Sequence, residues 1–284
     1  MTDRPPALDE PVARRWLDEA IARRPLVAFD FDGTLAPLVP EPEKAAMDPR
    51  ARERLERLRR RFPVAVVSGR GLADLRDRIG IDGIALVGSH GSEWPQASGD
   101  MAMPTGDAPA GDDGAALQAQ RDAVAGWVAQ LRALLPAAAP EAVLEVKRLS
   151  LSLHYRHAHD PMALRERLAR LFEGLRPQPT RIDGKFVWNL IPPGAPTKFD
   201  ALEKLLRSSG AGTVIFVGDD ATDELVFEHA PAEWLTVRVF DGEAGLAAGS
   251  RTAARACVDG VDGVMAMLAR LTAAAPAAVP STQR

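Results

Sequence analysis

Five short apolar runs punctuate the 284-residue chain: Leu26–Phe29, Val64–Val67, Ile84–Val87, Val214–Val217 and Thr236–Phe240. Helical patterns lie between most of them. Leu8, Val12, Trp16 and Ile21 recur at roughly helical spacing before Arg24, Pro49–Arg61 carries Leu55 and Leu58 among arginines, and Leu72, Leu75 and Ile79 follow the second run. Such alternation predicts βαβ units and a parallel sheet buried on both faces. Right-handed crossovers then bring every strand's C-terminal end to one edge, where open sheets of this kind bind ligands. Asp30, Ser68, His90 (in the stretch GSHGSE) and Asp219 all stand just beyond such runs. Packing alone does not explain polar residues converging there.

The middle of the chain reads differently. Glu93–Gly114 is rich in Gly, Pro and Asp, which predicts a loop or linker. Ala115–Leu135 predicts a helix striped by Leu117, Val124, Val128, Leu131 and Leu135, with Pro136 stopping it. Arg148–Arg156 alternates, with Leu149, Leu151, Leu153 and Tyr155 on one side and Ser150, Ser152, His154 and Arg156 on the other. Asp160 and Pro161 open a helix carrying Leu164, Leu168 and Leu171, and Phe186–Ile191 predicts another strand. The order helix–strand–helix–strand implies a small α/β domain, 113–192, inserted into a larger one made of 1–112 and 193–284. The Ala- and Pro-rich tail from Ala273 reads as loose.

Composition narrows the setting. A net charge of −4 argues against nucleic acid as a partner. Cys257 is the single cysteine, which excludes an internal disulfide and suits a reducing compartment. No apolar run approaches a membrane span, and the first residues lack the apolar stretch of a signal peptide, so the expectation is a cytoplasmic protein, monomeric or weakly self-associating.

In an extended segment residues i and i+2 share a side, so Asp30 and Asp32 can face one way with Phe31 turned away. Two such carboxylates repel unless a cation lies nearby or one keeps its proton, and carboxylate oxygens suit Mg2+. Gly33 allows a sharp turn and close backbone approach. A second acidic cluster, GDDATDE, supplies Asp219, Asp220, Asp223 and Glu224. Ser68 and Lys198 add a hydroxyl and a cation, a set suited to phosphoryl transfer. Plainer readings stay open: Ser68 capping the next helix, and GDDATDE an acidic helix start.

DFDGTLAP resembles the DxDGT motif of haloacid dehalogenase-type phosphatases, with SGR at Ser68–Arg70, Lys198 and GDDATDE standing in the order of that superfamily's later motifs. A finer resemblance is to trehalose-6-phosphate phosphatases, carried by DGTLAP, SGR, the segment Val87–Glu93, GDDATDE, and Glu145, Lys147, His154, Tyr155 and Arg156 in a pattern ExKxxxxxxHYR. It covers roughly Leu26–Phe240. The resemblance implies a Rossmann-like core with an inserted α/β cap and Mg2+-dependent hydrolysis of trehalose 6-phosphate. It implies Asp30 as nucleophile and Asp32 as general acid and base. Asp30, the backbone carbonyl of Asp32 and Asp219 would bind the metal, and Asp220 and Asp223 would assist through water or by holding Asp219 and Lys198. Thr34, Ser68 and Lys198 would contact phosphate. Arg70 is left between the sugar end and a cap residue.

His90, Gly91, Glu93, Lys147, His154, Arg156 and Asn189 are the candidate sugar contacts. Strict alternation would put Glu145 and Lys147 on the leucine side, so either the strand breaks near Arg148 or those two do not touch sugar; Lys147 and Arg148 read better as a turn. Asn189 stands where the family's GKxVxE pattern has glutamate, and Phe199 where glycine follows the lysine. Competing readings are a phosphatase of the same fold for sucrose phosphate or a glycosyl-phosphoglycerate, and a non-catalytic sugar-phosphate sensor.

Overall fold

Strand β1 (Leu26–Phe29) runs through the middle of a six-stranded parallel sheet. Its partners are β2 (Val64–Val67) on one side and β8 (Val214–Gly218) on the other, and the sheet order is completed by β3 (Ala85–Val87) beyond β2 and by β9 (Leu235–Phe240) and β10 (Ala256–Asp259) beyond β8. The computed structural model describes residues 4–39, 41–95, 113–184, 186–241 and 252–273. Most of the expected linker, Lys185 and the tail beyond Ala273 lie outside the described residues.

Both faces of this sheet are covered, and that is why its strands read as unbroken apolar runs. Val27 and Phe29 face a cluster built from Leu17 of α1 (Pro11–Ala22), Leu55 of α2 (Pro49–Leu58), Leu75 of α3 (Leu72–Ile79) and Leu268 of α8 (Gly260–Ala273). Leu26 and Ala28 face the other way, onto Leu202 of α6 (Lys198–Ser209) and Phe227 of α7 (Ala221–His229). Each large side chain so buried is worth about 1.5–3 kcal/mol. In α1 the buried face is Ala13, Leu17 and Ala20; Trp16 and Ile21 flank it and Leu8 precedes the helix.

Between β3 and α6 the chain builds a second, antiparallel sheet of four strands, β4 (Val143–Val146), β5 (Leu151–His154), β6 (Thr180–Gly184) and β7 (Val187–Ile191), in the order β4-β5-β7-β6. Helices α4 (Asp113–Ala138) and α5 (Pro161–Phe172) pack on one face, where Trp127, Leu131, Leu164, Leu168 and Phe172 meet Leu151, Leu153, Trp188 and Leu190. Register pairs Glu145 with Ser152 and Ser152 with Asn189, so these residues and His154 share the opposite face.

Two sequence expectations need correction. The inserted layer is helix–strand–strand–helix–strand–strand, because β4 and β6 are edge strands whose exposed or charged residues mute the apolar signal. Helix α4 passes through Pro136 to Ala138. A proline forfeits one backbone bond, which the last turn of a long helix can bear. Strand β10 and α8 have no counterpart in the sequence reading.

Trp127 is fully buried and donates through Nε1 to the Pro177 carbonyl at 2.6 Å. Trp127→Ala should therefore cost about 3–5 kcal/mol, read as a lowered urea midpoint. A change under about 1 kcal/mol would show that the inserted layer does not depend on this core.

Candidate active site

Where β1 ends, Asp30 enters a buried charge cluster. Its backbone N–H is tied to the Val217 carbonyl of β8 at 2.9 Å, which aligns the ends of the two strands. Lys198, the first residue of α6, places Nζ 3.1 Å from Asp30 Oδ1 and 2.7 Å from Asp223 Oδ1. A capping box between Thr197 and Asp200 starts this helix and fixes where the lysine points. A second capping box starts α7. The Asp220 carboxylate accepts from the backbone N–H groups of Thr222 (2.8 Å) and Asp223 (3.1 Å) and from the Thr222 hydroxyl (2.6 Å). In return Asp223 Oδ2 accepts from the Asp220 N–H at 3.0 Å, leaving Oδ1 for Lys198.

Asp219 stands at the end of β8. The turn after β1 comes close to it because Gly33 has φ +73°, and a Cβ there would lie 2.1 Å from an Asp219 carboxylate oxygen. That turn can adopt this geometry only with glycine. Asp30, Asp219 and Asp223 each offer one carboxylate oxygen, and all three oxygens lie within 4.8 Å of one another. Asp30 Oδ1, Asp219 Oδ1 and Thr34 Oγ1 are buried without a hydrogen-bond partner among the described residues; the Lys198 contact to Asp30 is close but not aligned as a bond.

The electrostatics follow from this crowding. Burial pushes the Asp30 carboxyl up to about 6 despite the pull of Lys198. Burial, reinforced by Asp220 and Asp30, lifts Asp219 well above the usual carboxylate range. Asp223 is lifted too, by burial that Lys198 only partly offsets. For Lys198, burial opposes the charge, but Asp223, Asp30 and Asp220 outweigh it and hold the ammonium protonated. For Asp220 burial is outweighed by Lys198 and the Thr222 bonds, which hold it ionised. Three mutually close carboxylates face one lysine, and two of them carry unsatisfied oxygens. This donor set fits a hard divalent cation.

Asp32 lies outside the three-carboxylate cluster, with its side chain 34% exposed. Arg70 grips it with a two-pronged contact, Nε to Oδ2 at 2.7 Å and Nη2 to Oδ1 at 2.6 Å, and reaches Asp74 through Nη1 at 2.8 Å. Arg70 thus holds two core aspartates, and its charge also acts on Glu145 of the inserted layer. Asp74 was missed; its only signal was the i+4 spacing from Arg70. Ser68, buried at the end of β2, accepts from the Arg70 N–H at 3.3 Å, so α3 is not capped by its hydroxyl.

His90 is buried with neither ring nitrogen hydrogen-bonded among the described residues, and burial together with Lys147 and Lys198 pushes it down to about 3, keeping it neutral. Gly91, at φ +121°, lets this turn pack on the start of α6; a Cβ would lie 2.3 Å from the Thr197 carbonyl oxygen. Glu93 Oε2 accepts from the Leu72 N–H at 2.6 Å, and Oε1 lies 3.2 Å from Arg148.

In the inserted layer the expected strand break is present: the Lys147 N–H donates to the Ser150 carbonyl at 3.0 Å, closing a turn between β4 and β5. Glu145 thereby joins the His154 face, 2.8 Å from its Nε2, and the His154 bond holds the Glu145 carboxyl below its usual range. Lys147 lies 3.8 Å from Glu145, the Ser152 hydroxyl donates to Asn189 Oδ1 at 2.7 Å, and the exposed Arg156 guanidinium lies over Phe186.

The sequence matches the protein family described as Trehalose-phosphatase over residues 28–248. It is 36% identical over 221 residues to the trehalose-phosphate phosphatase of Mycobacterium tuberculosis, covering 74% of this chain and 52% of that protein. The chain spans about half the length of the curated trehalose-phosphate phosphatases it matches. The C-terminal domain of Candida albicans trehalose-6-phosphate phosphatase has a TM-score of 0.67 at 21% identity, covering 95% of this chain and 99% of that one. The C-terminal domain of the Candida albicans trehalose synthase regulatory protein has a TM-score of 0.62 at 12% identity, with 95% and 99% covered. At these identities the structural likenesses show a shared fold.

Lys198→Met removes the cation that bridges Asp30 and Asp223. A carboxyl raised by folding favours the native state while protonated and disfavours it once pH climbs past its folded value. The variant should lose about 3–5 kcal/mol at pH 8 in chelating buffer and regain much of it at pH 5, measured by urea unfolding. An equal loss at both pH values would contradict this electrostatic account.

Proposed function

The chain belongs to the trehalose-phosphatase family, and we propose accordingly that it is a Mg2+-dependent phosphatase converting trehalose 6-phosphate to trehalose and phosphate. The observation that carries the reading is the meeting of Asp30, Asp219 and Asp223, with unsatisfied carboxylate oxygens, around Lys198. The regulatory protein that shares this fold is why fold alone does not carry it. A sensor needs no buried nucleophile.

In the proposed reaction an Asp30 oxygen attacks phosphorus. The bond from phosphorus to the sugar oxygen breaks as the Asp30–phosphorus bond forms, and Asp32 gives its proton to the departing oxygen. Asp32 then takes a proton from water, the water oxygen bonds phosphorus, and the aspartyl-phosphate releases phosphate and regenerates Asp30. Asp30, Asp219 and the backbone carbonyl of Asp32 would hold Mg2+, with Asp223 beside them. Bound there, the ion would offset charge on the phosphoryl oxygens. Thr34, Ser68 and Lys198 would hold those oxygens. Asp220 would serve by fixing Asp223 through the capping box rather than by touching the metal. Arg70 would keep Asp32 oriented.

Residues 113–192 would act as the cap, presenting Glu145, Lys147, Ser152, His154 and Asn189 to the sugar, with His90 and Glu93 below; Gly91 serves the turn that carries His90. Hydroxyl-rich trehalose needs such hydrogen-bonding groups. The acidic net charge and single cysteine favour a cytoplasmic enzyme without a nucleic-acid partner. Among the described residues no helix is long and apolar enough to cross a membrane. Self-association, if any, would be weak.

Phosphate release from trehalose 6-phosphate, sucrose 6-phosphate and a glycosyl-phosphoglycerate tests the reading. Trehalose 6-phosphate should be turned over fastest, and Asp30→Asn should slow it by about a thousandfold or more. A faster alternative ester would overturn the substrate, and an active Asp30→Asn would overturn the covalent role.

A further inference from the structure

Among the described residues, the ion pair of Arg148 with Glu93 joins the inserted layer to the sheet edge, and the proposed phosphoryl transfer does not use it. Arg148 sits in the turn between β4 and β5, and its Nη1 lies 3.2 Å from Glu93 Oε1. The two ends differ in kind. The Arg148 side chain is 61% exposed, whereas that of Glu93 is 6% exposed. Glu93 is fixed in the core: its backbone pairs with Gly88, and its other carboxylate oxygen holds the Leu72 N–H at 2.6 Å. A long, flexible cation on the hairpin tip therefore meets a rigid, enclosed anion. Oε1 has no aligned hydrogen bond among the described residues, so losing Arg148 would leave a nearly buried negative oxygen unbalanced. Partly buried pairs of this kind are screened less by salt than exposed ones.

Unsatisfied polar atoms flank the contact. Both ring nitrogens of His90, two residues from Ser92 on the same turn as Glu93, and the hydroxyl of Ser150, in the same turn as Arg148, are buried without partners among the described residues. A polar ligand lying between hairpin and turn would satisfy them. We propose that Arg148 is a positioning residue that latches the β4–β5 hairpin onto Glu93, holding the inserted layer shut over a sugar-bearing phosphate ester. This rests on the reading of the chain as a sugar-phosphate phosphatase. The latch favours esters whose sugar spans both layers. A small aryl phosphate meets only Asp30, Asp32, Lys198 and their neighbours, so it gains nothing from closure.

Two readouts test this. In steady-state kinetics Arg148→Ala should raise KM for trehalose 6-phosphate about tenfold with little change in kcat, and leave p-nitrophenyl phosphate hydrolysis unaltered. Arg148→Lys should recover part of the loss, and Arg148→Glu should exceed it. Equal effects on both esters, or none on either, would overturn the proposal. The second readout needs no turnover. Spin labels on Met162→Cys in α5 and Arg207→Cys in α6, both exposed positions, report the spacing of the two layers, and the one native cysteine, Cys257, is buried. Arg148→Ala should broaden this distance distribution toward longer values, and an unchanged distribution would overturn the latch. Should another sugar phosphate prove the better substrate, the trehalose reading fails while the distance measurement still decides the latch.

Discussion

Negative charge is concentrated where a sheet ends, and one lysine is too little to balance it. Asp30, Asp219 and Asp223 come from three points in the chain yet bring carboxylate oxygens within 4.8 Å. Lys198 sits between two of them, and burial keeps all three reluctant to ionise. Such a cluster costs stability unless a cation completes it. Its persistence is best understood as readiness for a ligand, with the surrounding fold supplying the rigidity.

That rigidity has identifiable sources. Parallel pairing of β1 with β8 places Asp30 beside Asp219. Two capping boxes, at Thr197–Asp200 and Asp220–Asp223, set the starts of α6 and α7, so that Lys198 and Asp223 meet at 2.7 Å. Gly33 removes the side chain that would collide with Asp219. The elements that carry the clustered groups are thus set by backbone hydrogen bonds, and Lys198 ties Asp223 to Asp30 within the cluster. The inserted layer uses different means. Its leucine-rich face is consumed by its own helices, which turns Glu145, Ser152, His154 and Asn189 the other way.

Much of this could be read from residues alone, for physical reasons. The central strands are buried on both faces, so Leu26–Phe29, Val64–Val67 and Val214–Val217 stand out with almost no error. The acidic motifs follow these strands directly, so their convergence follows from topology. Edge strands β4 and β6 escaped because exposure lets charged residues in. The partners of Arg70 escaped for another reason. A guanidinium can reach many acceptors, and only coordinates show that Asp32 and Asp74 are among them. The plainer reading of GDDATDE as an acidic helix start holds, since Asp220 caps α7 with Asp223 and Glu224 in its first turn, while Asp219 and Asp223 also lie in the carboxylate cluster.

The central claim is that these three aspartates want a divalent cation. Calorimetric titration of Mg2+ into the wild type and Asp219→Asn, at pH 7 and pH 5, asks this directly. One ion per chain should bind the wild type at pH 7, more weakly at pH 5 where protons compete for the raised carboxyls, and binding should be lost in Asp219→Asn. Undiminished binding by Asp219→Asn would contradict the account, because the ion would then be held somewhere else.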